Sequence, residues 1–279
     1  MTSQDSATGE LPAGLGEAGE PASYDTSVAH PARVYDFLLG GKDNYEADRA
    51  AAREMVAVNP TVVPTVRANR AFLRRVVQYL AGEAGVTQFL DIGTGLPTAE
   101  NTHQIAQRVE PRSRVVYVDN DPIVLAHARA LLTSTAQGAT AYLHADARDI
   151  PAIVRGAAET IDFSQPVAVM MLCVMQFVPD EAGPHQIVSA LMAAVPPGSY
   201  LAMSDTTRDI GAEQMTAGAA KYNARLGPNR FTPRTGAEIT AFFSGLDFVE
   251  PGLVPLPQWR GLARPGVQIP AYAGLARKP

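Results

Sequence analysis

A glycine-rich turn directly follows an apolar run that ends in an acid. The segment reads QFLDIGTGLPT from residue 88 and contains Asp91, Gly93, Thr94 and Gly95. Glycine lets the backbone turn tightly and approach a ligand without a Cβ atom in the way. A helix after such a turn offers free N–H groups and the positive end of its dipole, which together bind an anion. The segment therefore predicts a site for the anionic part of a nucleotide-type ligand.

Two kinds of ligand fit this turn. A dinucleotide would place its pyrophosphate there, but the dinucleotide fingerprint has Gly or Ala at a third position, where this sequence has Thr98. S-adenosylmethionine would place the carboxylate of its methionine moiety there, with its ammonium group near Asp91. In this second interpretation, Pro97 and Thr98 begin the next helix.

Two more acids follow the next two apolar runs. Asp119, with Asn120 behind it, ends the run VVYVDN, where an acid can accept hydrogen bonds from both ribose hydroxyls. Asp146 follows the run AYLHA, where its carboxylate can accept the exocyclic amine of adenine while the Ala147 N–H donates to the ring. Helix capping is the alternative for such acids, and it suits Asp121 best because a proline follows it. Three acids at three successive strand ends together predict a cofactor with a ribose and an adenine.

The fourth apolar run, VAVMMLCVMQF, offers few catalytic groups. We assign Cys173 to the cofactor site and Gln176 to the substrate pocket, and the alternative for the cysteine is a buried small apolar residue. The five histidines are scattered singly, so we predict no metal site. No Tyr–Lys pair follows the fourth or fifth run, which disfavours hydride transfer, and we assign no catalytic residue.

The elements that must position these residues alternate between strands and helices. From residue 85 onward, apolar runs of strand length are separated by helical patterns, which is typical of βαβ units and a parallel sheet. The last two runs, FVEPGLV and YAGLAR, have no helix between them and predict an antiparallel hairpin. The fold class is therefore α/β, with a Rossmann-like, mostly parallel seven-stranded sheet, one antiparallel edge strand and helices on both faces.

The chain before the first strand divides into two parts. Residues 1–24 are rich in Gly, Ala, Pro, Ser and Glu and predict a disordered tail. Residues 25–84 carry helical signals only and predict an N-terminal helical cap, and residues 85–279 form the Rossmann-like core.

Composition excludes several classes of protein. The net charge of −5 gives no electrostatic footprint for nucleic acid, so we consider a nucleic-acid partner unlikely. No apolar stretch reaches the roughly 20 residues needed to cross a bilayer, and the N-terminus lacks a secretion signal. We therefore expect a cytoplasmic protein with no membrane partner.

The motifs resemble those of the class I S-adenosylmethionine-dependent methyltransferases. FLDIGTG, VVYVDNDP and LHADARD are similar to the first three cofactor motifs of that family, in the same order. PARVYDFLLGGKDNYEAD, RANRAFLRRVVQYLA and the late PLPQWRG resemble an actinobacterial methyltransferase family of unassigned substrate. The resemblance implies S-adenosylmethionine as the cofactor and methyl transfer by in-line displacement. The Met-rich end of the fourth run and the low net charge favour a small-molecule acceptor.

For the N-terminal helices we then predict a role as a lid over the cofactor. We expect Arg33 to meet the cofactor carboxylate, and a larger set to line the acceptor pocket. That set is Tyr35, Asp43, Asn44 and Tyr45, together with Gln176 from the fourth strand. The alternative for the cap segment is a helix–loop–helix cover without a functional role.

Two other functions remain open at this point. A non-catalytic S-adenosylmethionine-binding regulatory protein would keep the fold and lack an acid or base, as this sequence does. An NAD-dependent oxidoreductase is the weaker alternative, because the third glycine and the catalytic pair are both missing.

Overall fold

The structure is a computed structural model that describes residues 25–97, 100–124, 134–226, 230–261 and 268–279. The predicted disordered tail, residues 1–24, lies outside the described residues, as does Thr98.

The helix after the glycine turn begins at Thr102, so the predicted start at Pro97 is wrong. Gln104 fixes this later start, because its Oε1 accepts a hydrogen bond from the Asn101 N–H at 2.8 Å.

Within the described residues, eight strands form one sheet. They are β1 (Gln88–Ile92), β2 (Arg114–Asp119), β3 (Ala139–His144), β4 (Ala168–Leu172), β5 (Tyr200–Thr206), β6 (Asp247–Phe248), β7 (Val254–Pro255) and β8 (Ala271–Arg277). Their order is β3-β2-β1-β4-β5-β8-β6, and β7 pairs with β8 outside this path. β1 to β5 are parallel, and β8 is antiparallel to β5, β6 and β7. The predicted fold class is confirmed, with the short β6 flanking the antiparallel strand at that edge.

Helices cover both faces of the sheet. The described helices are α1 (Pro31–Leu39), α2 (Glu46–Val58), α3 (Val62–Gly82), α4 (Thr102–Val109), α5 (Ile150–Ala157), α6 (Pro184–Ala194), α7 (Ala212–Asn223) and α8 (Gly236–Ala241). On one face, Phe72 of α3 and Ile105 of α4 share a core with Phe89 of β1. On the other face, Ile153 and Leu191 pack with Leu90. Burial on both faces explains why the strands read as continuous apolar runs.

The first two helices pack apart from the sheet, together with α7. We call this set the cap cluster. It comprises Ala29, Val34, Leu38, Ala51, Ala52, Met55, Val66, Met215, Ala219, Tyr222, Leu226 and Phe231. Because α7 belongs to the cap cluster, this cluster contains residues from both sides of the predicted domain boundary at residue 84. The division into a helical cap and a core stays a prediction. None of the described helices combines the length and apolar character needed to span a lipid bilayer.

Candidate active site

A cavity of about 320 Å³ lies between the carboxyl ends of the parallel strands and the helices α1, α3 and α7. Ligands of open parallel sheets bind at this edge. All the residues predicted at the strand ends line it: Asp91, Gly93, Thr94, Gly95, Asp119, Asn120, Asp146, Ala147 and Cys173. Tyr35 and Gln176, predicted for the acceptor pocket, line it as well. The fold therefore brings these separate segments together around one space.

The glycine turn has the backbone that its sequence demands. Gly93 and Gly95 both have φ of 67°, a left-handed conformation that favours glycine. A Cβ atom on Gly93 would lie 2.4 Å from Val174 Cγ2, whereas one on Gly95 would meet nothing within 4 Å. The Gly93 N–H donates to Val118 O at 2.7 Å, which ties the turn to β2. Gly93 is thus needed for packing, and Gly95 leaves open space beside the cavity.

Asp119 holds the turn in place from the end of β2. Its Oδ2 accepts from the Gly95 N–H at 2.8 Å, and its Oδ1 accepts from the Asp121 N–H at 2.9 Å. Burial raises the pKa of this carboxyl, and these two hydrogen bonds oppose the increase. Each carboxylate oxygen can accept a further bond. Asp121 caps the next helical segment through Ile123, as predicted, because its Oδ1 accepts from that N–H at 2.9 Å.

Asp91 is buried at the end of β1. Thr102 Oγ1 donates to its Oδ2 at 2.6 Å. Burial raises the pKa of Asp91 to about 6, and the positive charge of Arg70 opposes part of this increase. Arg70 also lines the cavity, and its guanidinium donates to Glu100 O at 2.8 Å. A carboxylate and a guanidinium therefore lie together at this end of the site.

Asp146 lies after β3 and pairs with a neighbouring arginine. Arg148 Nε donates to Asp146 Oδ1 at 2.7 Å, and a second guanidinium nitrogen donates to Oδ2 at 2.6 Å. These bonds lower the pKa of Asp146. The carboxylate is thus charged at neutral pH, and a ligand amine would share it with Arg148.

Cys173 follows β4 with a φ of 59°, an uncommon value for a residue with a side chain. Its Sγ lies 3.6 Å from Ser204 Oγ on β5. Burial raises the pKa of the thiol to about 12, so the side chain is uncharged at neutral pH. Gln176, one short turn later, is held because its Oε1 accepts from the Thr206 N–H at 3.1 Å.

Four residues predicted for the site do not line the cavity: Arg33, Asp43, Asn44 and Tyr45. Arg33 is 4% exposed and faces buried carboxylates instead. Its Nε lies 3.5 Å from Asp121 Oδ2 and 3.7 Å from Asp48 Oδ1. The position of Arg33 therefore does not support the predicted contact with a cofactor carboxylate.

The other three residues build the connection between α1 and α2. Asn44 Nδ2 and the Asp43 N–H both donate to Asp36 Oδ2, at 2.8 and 3.0 Å. The Tyr45 N–H donates to Asp48 Oδ2 at 2.8 Å, which fixes the start of α2. These positions do not support the predicted acceptor-pocket role of Asp43, Asn44 and Tyr45.

The sequence patterns did not point to Asn69 and Arg70, although both line the cavity. Asn69 lies three residues after Val66 and three before Phe72, so it interrupts the apolar stripe of α3. A buried amide on an apolar helix face was a signal that could have found it. Arg70 is one of several arginines on the same helix, and no feature of the sequence distinguishes it from the others.

Comparison with solved structures agrees with this architecture. A DUF574 family protein from Streptomyces avermitilis is 46% identical, with a TM-score of 0.87 over 91% of this chain and 99% of that chain. A proposed methyltransferase from Thermobifida fusca is 40% identical, with a TM-score of 0.85 over 94% and 99%. The plantazolicin methyltransferase BpumL, solved with S-adenosylhomocysteine, shares the fold at 10% identity, with a TM-score of 0.52 over 89% and 96%. Among curated proteins, none matches this chain.

The fold and the strand-end site define a Rossmann-like methyltransferase. The family profile described as S-adenosyl methyltransferase matches residues 17–279, and the chain belongs to this family. The protein is therefore an S-adenosylmethionine-dependent methyltransferase, which confirms the resemblance, the enzyme class and the cofactor inferred from the sequence motifs. The oxidoreductase and non-catalytic interpretations are set aside.

Proposed function

We propose that the protein transfers the methyl group of S-adenosylmethionine to a small molecule that binds in the same cavity. The observation that carries the proposal is the composition of its wall. The carboxylates of Asp91, Asp119 and Asp146 line one part, and apolar residues of the cap cluster line another. A charged cofactor suits the first part and an organic acceptor suits the second.

The methionine end of the cofactor fits the region of the glycine turn. Asp91 complements an ammonium group, and Arg70 complements a carboxylate. The open space beside Gly95 lets a ligand approach the backbone there. We therefore assign Asp91, Gly93, Thr94, Gly95 and Arg70 to this end.

The adenosine end fits the ends of the next strands. Asp119 keeps accepting capacity for ribose hydroxyls after its two backbone hydrogen bonds. Asp146 and the Ala147 N–H lie where an adenine could be recognised, and Asn120 and Cys173 complete the wall. These roles are proposals supported by position and chemistry.

In this reaction the protein contributes mainly by positioning the acceptor and the cofactor. S-adenosylmethionine supplies a methyl group that its sulfonium already activates. Alignment of the acceptor with this methyl group, and exclusion of water, are then the main contributions of the protein. Burial raises the pKa of Tyr35 far above its usual value and that of Cys173 to about 12, so neither removes a proton at neutral pH.

Two observations support a small molecule as the methyl acceptor. The net charge of −5 disfavours a polyanionic partner. The fold neighbour BpumL was solved with a desmethylPZN analogue and S-adenosylhomocysteine together. A cytoplasmic location and the lack of a nucleic-acid partner stay predictions.

Substitution of Asp119 tests the cofactor assignment. Asp119→Ala should weaken the binding of S-adenosylhomocysteine by more than tenfold, about 1.4 kcal/mol, because a ribose contact is lost. Isothermal titration calorimetry measures the Kd, and a melting curve checks that the variant is folded. Asp247→Ala, on the exposed β6, is the control and should bind like the wild type. An unchanged Kd in Asp119→Ala places the ribose elsewhere, and a wild-type protein that binds no S-adenosylhomocysteine refutes the proposal.

A further inference from the structure

An aromatic wall closes the part of the cavity that the cofactor assignment leaves free. Phe177, Tyr222 and Phe231 all line the cavity and contact one another, with ring centroids 5.7 to 6.3 Å apart. Asn223 holds Phe231 in place through two hydrogen bonds, one to its N–H at 2.6 Å and one to its C=O at 2.9 Å. The packed rings therefore form a fixed apolar wall at this end of the cavity.

Most charged side chains of the described cavity wall lie apart from the cap cluster. Arg70, Asp91, Asp119, Asp146 and Arg148 lie around the strand ends. The cap-cluster residues of the wall are uncharged: Val34, Leu38, Met55, Val66, Met215, Ala219, Tyr222 and Phe231.

Asp36 and His30 also line the cavity, and both already face partners. Asp36 accepts from Asn44 Nδ2 at 2.8 Å, and His30 Nδ1 lies 3.1 Å from Asp121 Oδ2. A charged acceptor would lose its hydration against the cap-cluster wall without gaining a counter-charge.

A buried hydrogen-bond network with a fixed direction adjoins this wall. Tyr35 OH donates its one proton to Val66 O at 3.1 Å, because a carbonyl can only accept. The contact of 3.1 Å between Tyr35 OH and Asn69 must then be donated by Asn69 Nδ2. Asn69 Oδ1 consequently faces Ser204, whose Oγ donates to it at 2.7 Å. The orientation of the Asn69 amide is thus set by its surroundings.

Two donors on residues that line the cavity remain unused after these bonds are made. Among the described residues, the network uses one of the two amide protons of Asn69 and leaves the second for a ligand. Thr206 is 7% exposed and lines the cavity, and its buried Oγ1 has no hydrogen-bond partner among the described residues. A buried polar atom without a partner is costly, and a ligand atom can remove that cost.

From this arrangement we propose that the acceptor is an uncharged aromatic compound that presents an oxygen or nitrogen lone pair to Asn69. The aromatic wall takes its ring, and the amide of Asn69, assisted by the hydroxyl of Thr206, orients its polar group. This inference rests on the proposed function, because it places the acceptor beside the bound cofactor.

Three naphthalene probes test the inference by calorimetry, each titrated into protein saturated with S-adenosylhomocysteine. They are 2-naphthol, naphthalene and 6-hydroxy-2-naphthoate, which differ in the hydrogen-bonding group and in charge. We expect 2-naphthol to bind at least tenfold more tightly than either of the others. Equal or tighter binding of the naphthoate, or no binding of any probe, overturns the inference.

Two variants test whether Asn69 and Thr206 cause the preference for 2-naphthol. Asn69→Leu, of similar volume, should abolish the advantage of 2-naphthol over naphthalene, and Thr206→Val should reduce it. Both should keep the wild-type affinity for S-adenosylhomocysteine, which a merely misfolded protein would not. If Asn69→Leu keeps the full preference for 2-naphthol, the assignment to Asn69 is wrong.

The same titrations separate this inference from the proposed function. A wild-type protein that binds S-adenosylhomocysteine but shows no preference among the probes refutes the acceptor class alone. A protein that does not bind S-adenosylhomocysteine refutes the cofactor site.

Discussion

Two glycines with the same backbone angle have different surroundings. Gly93 and Gly95 share a φ of 67°, but only Gly93 is packed against Val174. The strain of a left-handed residue with a side chain is about 1–2 kcal/mol and applies to both. The additional steric contact applies to Gly93 alone.

Alanine at each position separates these effects. Gly93→Ala should lower the free energy of unfolding by more than Gly95→Ala, because its Cβ meets Val174 Cγ2. Urea denaturation measures both values. Val174→Ala should recover part of the loss in a double variant with Gly93→Ala, and additive losses would contradict the packing explanation.

The raised pKa of Asp91 gives cofactor binding a pH dependence. The pKa of this carboxyl is about 6 without ligand, and the ammonium group of the cofactor is expected to pair with its charged form. Below pH 6 the carboxyl is protonated, so binding must release a proton and is weakened. The affinity for S-adenosylhomocysteine should therefore rise as the pH increases from 5 to 7.

Asp91→Asn is the matched control for this prediction. Its amide does not titrate, so the variant should bind more weakly at pH 7 and lose the part of the pH dependence that Asp91 causes. Calorimetry at several pH values gives the comparison. The same pH profile in the variant and the wild type would exclude Asp91 as the titrating group.

At the scale of elements, a buried ionic cluster fastens the cap. Asp48 of α2 is fully buried, accepts from the His30 N–H at 2.9 Å and lies close to Arg33 of α1. Arg33 also reaches Asp121, which follows β2. The starts of α1 and α2 are thus tied to the segment that directly follows Asp119.

Asp48→Ala should destabilise the cap strongly. The loss of its carboxylate leaves the His30 and Tyr45 N–H groups without their acceptor, which costs roughly 1–3 kcal/mol for each buried group left unpaired. Hydrogen exchange should increase in residues 31–58 more than in β1 and β4. Glu46→Ala, an exposed change in the same helical turn, should have little effect. Equal exchange in the two variants would contradict the fastening role of Asp48.

The elements themselves were largely predictable. The strands with long apolar runs, such as VVYVD and VAVMML, are buried on both faces, and periodicity reports such burial directly. Pro97 was a misleading signal for the start of α4, which Asn101 and Gln104 set locally. Terminal positions depend on single hydrogen bonds, which apolar periodicity does not contain.

At the scale of the whole molecule, the strand-end residues were predictable and the cap residues were not. Asp91, Asp119 and Asp146 each follow a parallel strand, so topology alone brings them to one edge. Arg33 contacts Asp121, 88 positions away in the chain, and no local pattern encodes that pairing. The amide of Asn69 likewise meets Ser204 through tertiary packing.

The central claim concerns where the cofactor lies, and a crystal structure of the complex with S-adenosylhomocysteine tests it most directly. We expect the ribose hydroxyls at about 3 Å from the carboxylate of Asp119, which is hydrogen-bond distance. The amino-acid end should lie beside Asp91 and Arg70, and the adenine beside Asp146. A ligand bound outside this cavity, or with its ribose away from Asp119, would contradict the claim.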